Sequence, residues 1–168
     1  MLDRSRRRFL GWAGLGTLGL AAAIGAVRST GYELHPETLA RLRVLSAWQY
    51  VVMHAIGRRM LEPETADVAA FADEYLSGLP ELERTELVKL IAFIEHVAPL
   101  WHGHLRRFTD LDDDEQDTVL ETLEHSAIAQ LRAGFAAIKA MSMMAYYRLP
   151  RAWEAIGYRG PVSPRSLK

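Results

Sequence analysis

The stretch SAIAQLRAGFAAIKAMSMMAYY, residues 126–147, repeats its apolar positions every three or four residues. Ile128, Leu131, Phe135, Ile138, Ser142 and Ala145 fall on one side of a helix at that spacing, and they define its expected buried face. Ser126 stands where an N-cap is wanted. Gly134, Ala136 and Ala137 leave room for a neighbouring helix to approach closely. Such a helix needs partners of its own kind, and the preceding sequence supplies them.

Asp112 with Glu115 three residues on matches a capping box, the expected start of another helix. The run Asp112-Asp113-Asp114-Glu115 does not match a calcium loop, which alternates its ligands and ends on a distant Glu. Pro80 opens a segment to about residue 105, with Leu87, Ile91, Ile94, Ala98, Trp101 and Leu105 on one stripe. Pro99 should kink or end that helix near residues 96–98. Residues 65–76 place Val68, Phe71, Ala72 and Tyr75 on one face, and Gly78 closes them. Pro36 suits a first helical position for residues 37–60, whose stripe runs Leu42, Leu45, Trp48, Val52, Ile56 and Met60 before Pro63. No segment alternates strictly. The expected fold is all-α, a bundle of four or five helices over residues 28–148. Residues 149–168 carry Pro150, Gly157, Gly160, Pro161 and Pro164, too many breakers for a helix, and read as an irregular tail.

The N-terminus has a different character. Ser5-Arg6-Arg7-Arg8-Phe9-Leu10 matches the S-R-R-x-F-L pattern read by the twin-arginine translocase, with Gly11 in place of the usual Lys. A weakly apolar stretch rich in Gly and Ala follows to residue 27. Its five glycines in seventeen residues make it a poor membrane helix, because each costs up to about 1 kcal/mol relative to Ala. Residues 1–27 are therefore expected to be an export signal for a folded cargo, which places the protein in the periplasm or on the outer face of the cytoplasmic membrane. Ala21-Ala22-Ala23 fits a cleavage site and Ile24-Gly25-Ala26 fits it loosely, while an uncleaved, anchored form stays open.

Removing residues 1–26 shifts the net charge from −1 to −4, since four Arg and one Asp leave with them. A mildly acidic body argues against nucleic acid as a partner. The chain has no Cys, which excludes attached c-type haem, iron–sulfur clusters and thiolate zinc sites. Gly14-Leu15-Gly16-Thr17-Leu18-Gly19 matches a dinucleotide fingerprint, but arginines precede it where a strand is required. His96, His102 and His104, with His54 and His125, invite a metal reading. None has a Glu three residues before it, and no third ligand can be named for His102 and His104. Without Cys or a G-x-S-x-G turn, no nucleophile stands out. Met141, Met143 and Met144 read as core or interface filler.

The tail is the sharpest feature outside the leader. Tyr146, Tyr147, Trp153, Ile156 and Tyr158 lie among turn-forming residues, and disordered segments are poor in aromatics. These residues should dock, either on their own bundle or on a partner. Phe108, Leu111, Val119-Leu120, Leu123, Ser126, Leu131-Arg132, Phe135 and Ile138-Lys139, followed by Tyr146-Tyr147, Pro150, Trp153 and Ile156-Gly157-Tyr158-x-Gly160-Pro161, resemble the gluconate 2-dehydrogenase subunit 3 family over residues 36–161. That resemblance implies a small exported helical subunit, without chemistry or cofactor of its own. It would accompany an FAD-containing dehydrogenase of the glucose–methanol–choline type, help it mature and carry it through the translocase, with a cytochrome c subunit often completing the complex. The chain departs from the pattern at Met60-Leu61-Glu62-Pro63, where relatives often show an Ile-Pro-x-Asp-like stretch. Lacking Cys, it has no inter-subunit disulfide. Two alternatives stand beside this reading: an exported metal protein or enzyme built on the histidines, and a free-standing binding module.

Overall fold

The computed structural model describes residues 31–61, 66–155 and 157–159. The export-signal residues Ser5, Arg6, Arg7, Phe9 and Leu10 lie outside these, as do Glu62, Pro63, Ile156 and the last residues of the tail. Among the described residues there are seven α-helices and no strand: α1 (Pro36–Arg41), α2 (Ala47–Met60), α3 (Val68–Ser77), α4 (Glu81–His96), α5 (Asp113–Glu124), α6 (Ala129–Tyr147) and α7 (Pro150–Ala155). Two 3₁₀ turns, Ala98–His102 and Phe108–Asp110, bridge α4 to α5. The fold is all-α, as the apolar spacing requires. None of the described helices is long and apolar enough to cross a membrane.

The five longer helices, α2 to α6, enclose one core. Val52, Met53 and Ile56 of α2 meet Ala69, Ala72 and Leu76 of α3, Ile91 and Ile94 of α4, Val119 and Leu123 of α5, and Ile138 and Met141 of α6. Each large side chain buried this way contributes about 1.5–3 kcal/mol. Helices α2 and α6 each touch all the other longer helices.

Residues 37–60 do not form the single helix their spacing suggests. The chain breaks at residues 42–46, where the buried carboxylate of Asp73 on α3 accepts the N–H groups of Arg43, Val44 and Leu45 at 2.8, 2.9 and 2.7 Å. Three hydrogen bonds to one anion outweigh the helical bonds those amides give up. Ser46 and Gln49 then restart the helix with a capping box, Ser46 N donating to Gln49 Oε1 at 2.8 Å. Turning Asp73 inward also rotates α3. Its buried face is Val68, Ala69, Ala72, Asp73 and Leu76, leaving Phe71 half-buried and Tyr75 exposed, against the expected Phe71 and Tyr75 stripe.

Helix α4 ends at His96, just before Pro99, as that proline implies. The chain then tightens into a 3₁₀ turn and leaves through Gly103 at φ 78°, so the expected stripe stops at Ala98, and Trp101 and Leu105 face solvent. Asp112 caps α5 as expected, accepting from Glu115 N at 3.0 Å while its own N–H donates to Glu115 Oε2 at 3.1 Å. Ser126 is not the N-cap of α6. Its Oγ accepts Ile128 N–H at 3.1 Å in a tight turn, and the helix begins at Ala129 with Ile128 exposed. The inward face is Phe135, Ile138, Met141, Ser142 and Ala145. The tail corrects the sequence reading as well. Pro150 sits at the start of α7 rather than breaking it, because a first-turn N–H needs no helical partner.

Candidate functional site

The histidines disperse. His35, His54 and His125 are exposed on separate elements, and His96 is buried with its ring 5.6 Å from that of Trp48. His102 and His104 come together with ring centroids 6.5 Å apart, and His104 Nδ1 lies 3.4 Å from Glu115 Oε1. That carboxylate is already committed, to Arg106 Nη2 at 2.7 Å and to the cap of α5. Among the described residues no three His, Asp or Glu side chains form a group that could hold a metal ion.

Acids and bases elsewhere hold the chain together. Glu95, wholly buried near the end of α4, accepts from Thr109 Oγ1 at 2.6 Å, from Thr109 N at 3.1 Å and from the Tyr32 hydroxyl. The Arg107 guanidinium covers the Tyr32 ring at 4.6 Å and bonds Asp110 at 2.8 Å. Burial pushes the Glu95 carboxyl above the usual range, against the Thr109 and Tyr32 hydrogen bonds and the Arg107 charge. The clasp ties residues 31–35 and the second 3₁₀ turn to α4. Gln116 does the same from α5, its Nε2 donating to the carbonyls of Phe108 and Leu111 at 3.0 and 3.3 Å. An open groove of about 420 Å³ lies between α2, α5 and α6. Several of its charges pair: Arg59 with Asp113 and Asp117, both at 2.6 Å, and Lys139 with Glu124 at 2.6 Å, while Glu121 also lines it.

The tail aromatics converge at the C-terminal end of α6. Trp153 Nε1 donates to the Tyr147 carbonyl at 2.6 Å, and its ring meets Tyr158 edge-on at 5.6 Å. Gly157, at φ 67°, provides the reversal that lets Tyr158 N bond the Trp153 carbonyl at 2.9 Å. Tyr146 and Tyr147 pack at 5.2 Å. Ala152 is buried against the bundle, while Tyr147 and Tyr158 remain 42% and 48% exposed. The tail thus docks on its own bundle with one side and presents rings to solvent with the other. Beside it, Arg148 bonds Glu74 at 2.9 Å and lies 5.4 Å from the centre of the Phe71 ring, which stacks on Tyr75. Ile156 lies outside the described residues.

A comparison with family models matches residues 48–160 to gluconate 2-dehydrogenase subunit 3, covering α2 to α7 and both 3₁₀ turns. The chain belongs to the gluconate 2-dehydrogenase subunit 3 family. Comparison with curated proteins found no match, and comparison with solved structures found none. A subunit 3 is by its family's name one part of a dehydrogenase assembly. In this member of the family the buried polar groups of Asp73, Glu95 and Gln116 fasten non-helical segments to α3, α4 and α5. Sequence reasoning missed the three clasps. The S-x-x-Q signature at Ser46 and Gln49 was the one local signal that could have revealed the break before α2.

Proposed function

We propose that this chain is the non-catalytic small subunit of an exported flavin-dependent dehydrogenase. Family membership over residues 48–160 carries the reading. Supporting it, the clasping carboxylates Asp73 and Glu95 are occupied by hydrogen bonds within the fold. Ser5, Arg6, Arg7, Phe9 and Leu10 supply the twin-arginine signal. The small subunit carries the leader, assists maturation of the FAD-containing large subunit and takes it through the translocase to the periplasm or the outer membrane face, where a cytochrome c subunit accepts electrons. FAD belongs to the partner, and this chain holds none.

Replacing Arg6 and Arg7 together with Lys tests the reading in cells expressing both subunits. Both should then remain in the cytoplasm, with dehydrogenase activity absent from the periplasmic fraction. Export of the large subunit beside the double variant would overturn the proposal.

A further inference from the structure

Helix α6 is apolar on the side that faces away from the core. Ala129, Ala133, Ala136, Ala140, Met143, Met144 and Tyr147 recur at helical spacing opposite Phe135, Ile138 and Ala145, and all seven are exposed. The stripe runs about 27 Å at 1.5 Å per residue. Its large members are 36%, 39% and 42% open for Met143, Met144 and Tyr147. A surface helix ordinarily turns charged residues outward, whereas one apolar all round is buried. No described element covers this face, and Trp153, bonded to the Tyr147 carbonyl, with Tyr158 edge-on to it, continues the surface at its C-terminal end.

The charges around it say what kind of surface covers it. Among the described residues from 126 onward stand Arg132, Lys139, Arg148, Arg151 and Arg159 against the single acid Glu154. On α6 itself the charged side chains are Arg132 and Lys139, flanking the stripe on the side of α5, and Arg148 follows on the side of α3. Lys139 and Arg148 form solvent-exposed pairs with Glu124 and Glu74, which a partner's carboxylates can replace cheaply. The cations flanking the stripe belong to α6 and its extension, while the acids facing them, Glu74, Glu121 and Glu124, belong to α3 and α5, so a partner's Asp and Glu reach the helix by exchanging with those exposed pairs. The small side chains favour a protein backbone or helix packed close over a bilayer, which large inserted residues would suit better.

We infer that the outer face of α6, continued by the α7 aromatics, is the docking surface for the dehydrogenase's large subunit, and that it meets an apolar patch there rimmed by Asp and Glu. The assignment rests on the subunit reading above. The test uses the full chain co-expressed with the flavin-dependent dehydrogenase large subunit of the same organism. Ala140→Glu and Met144→Glu place a carboxylate at exposed helical positions, so circular dichroism and melting should be unchanged. Co-purification of the large subunit should fall by roughly a hundredfold or more, because the new carboxylate is desolvated in the apolar centre of the contact. Leu82→Glu, on the exposed surface of α4, should keep the partner. Retention by both α6 variants would overturn the assignment. So would a wild-type dimer that Ala140→Glu converts to monomer, or wild-type binding to phosphatidylglycerol vesicles that Ala140→Glu abolishes while the large subunit stays bound. A wild-type chain that holds no large subunit at all would sink the subunit reading itself, and this assignment with it.

Discussion

Asp73 and Glu95 are the residues on which the non-helical parts of the chain depend. Replacing Asp73 with Ala would leave the amides of Arg43, Val44 and Leu45 without their shared acceptor. A loss of about 3 kcal/mol is expected in urea unfolding, with Asp73→Asn, which keeps one acceptor oxygen, losing less. Glu95 sets a pH dependence whose sign follows from burial. Its folded carboxyl is raised above the usual range, so the native chain keeps a proton that the unfolded chain has already released. Native stability from this group is therefore full below the ordinary carboxylate range and is lost as pH rises through the raised folded value. Glu95→Gln, which is neutral throughout, should flatten that decline when urea midpoints are compared between about pH 4 and 8. An unchanged slope in the variant would mean that Glu95 is not its source.

Two glycines distinguish helix contacts that look alike in sequence. A Cβ at Gly57 would stand 2.7 Å from Val68 Cβ, an atom fixed close to the backbone of α3. At Gly134 it would stand 2.7 Å from Leu90 Cδ2, the end of a side chain that can rotate. Ala gains up to about 1 kcal/mol over Gly from helix propensity. Forcing α2 and α3 apart costs about 1–3 kcal/mol, so Gly57→Ala should destabilise, whereas Gly134→Ala should lie near neutral. Thermal melts of the two variants check the contrast. The same reasoning separates the tail from the bundle. Of residues 150–154, only Ala152 is fully buried, so a chain ending after Tyr147 should keep its helical circular dichroism and melt within a few degrees of the full chain. Cooperative unfolding of the truncated chain at low temperature would show that α7 is part of the core.

At the scale of the molecule, the charge is divided along the chain. An acidic body precedes a basic last helix and tail, and the basic part carries the exposed apolar stripe. Attraction between that rim and an acidic partner acts over a Debye length of about 10 Å at 0.1 M salt. The association rate with the large subunit proposed above should therefore fall steeply as salt rises, with a much smaller change in dissociation rate. Stopped-flow mixing over a salt series measures both. An association rate indifferent to salt would assign the charge division to solubility alone.

Local spacing determined much of this protein. Apolar residues three and four apart specified the five longer helices, Pro99 and Gly78 marked real ends, and the Asp112 and Glu115 pair marked a real start. Each depends on atoms within a turn of one another, which is why each was legible. The resemblance carried by Phe108, Phe135, Trp153 and Tyr158 likewise needed no coordinates. What only the tertiary structure decided depends on contacts far apart in sequence. The break before α2 exists because Asp73, some thirty residues on, offers its carboxylate to residues 43–45. The burial of Glu95 depends on Tyr32, sixty-three residues away. Helix α6 shows the limit most plainly, because periodicity identifies an apolar face but cannot say which of two such faces the bundle will cover. Packing covered the one through Phe135, Ile138 and Ala145, and left the one through Ala140 and Tyr147 to meet something else.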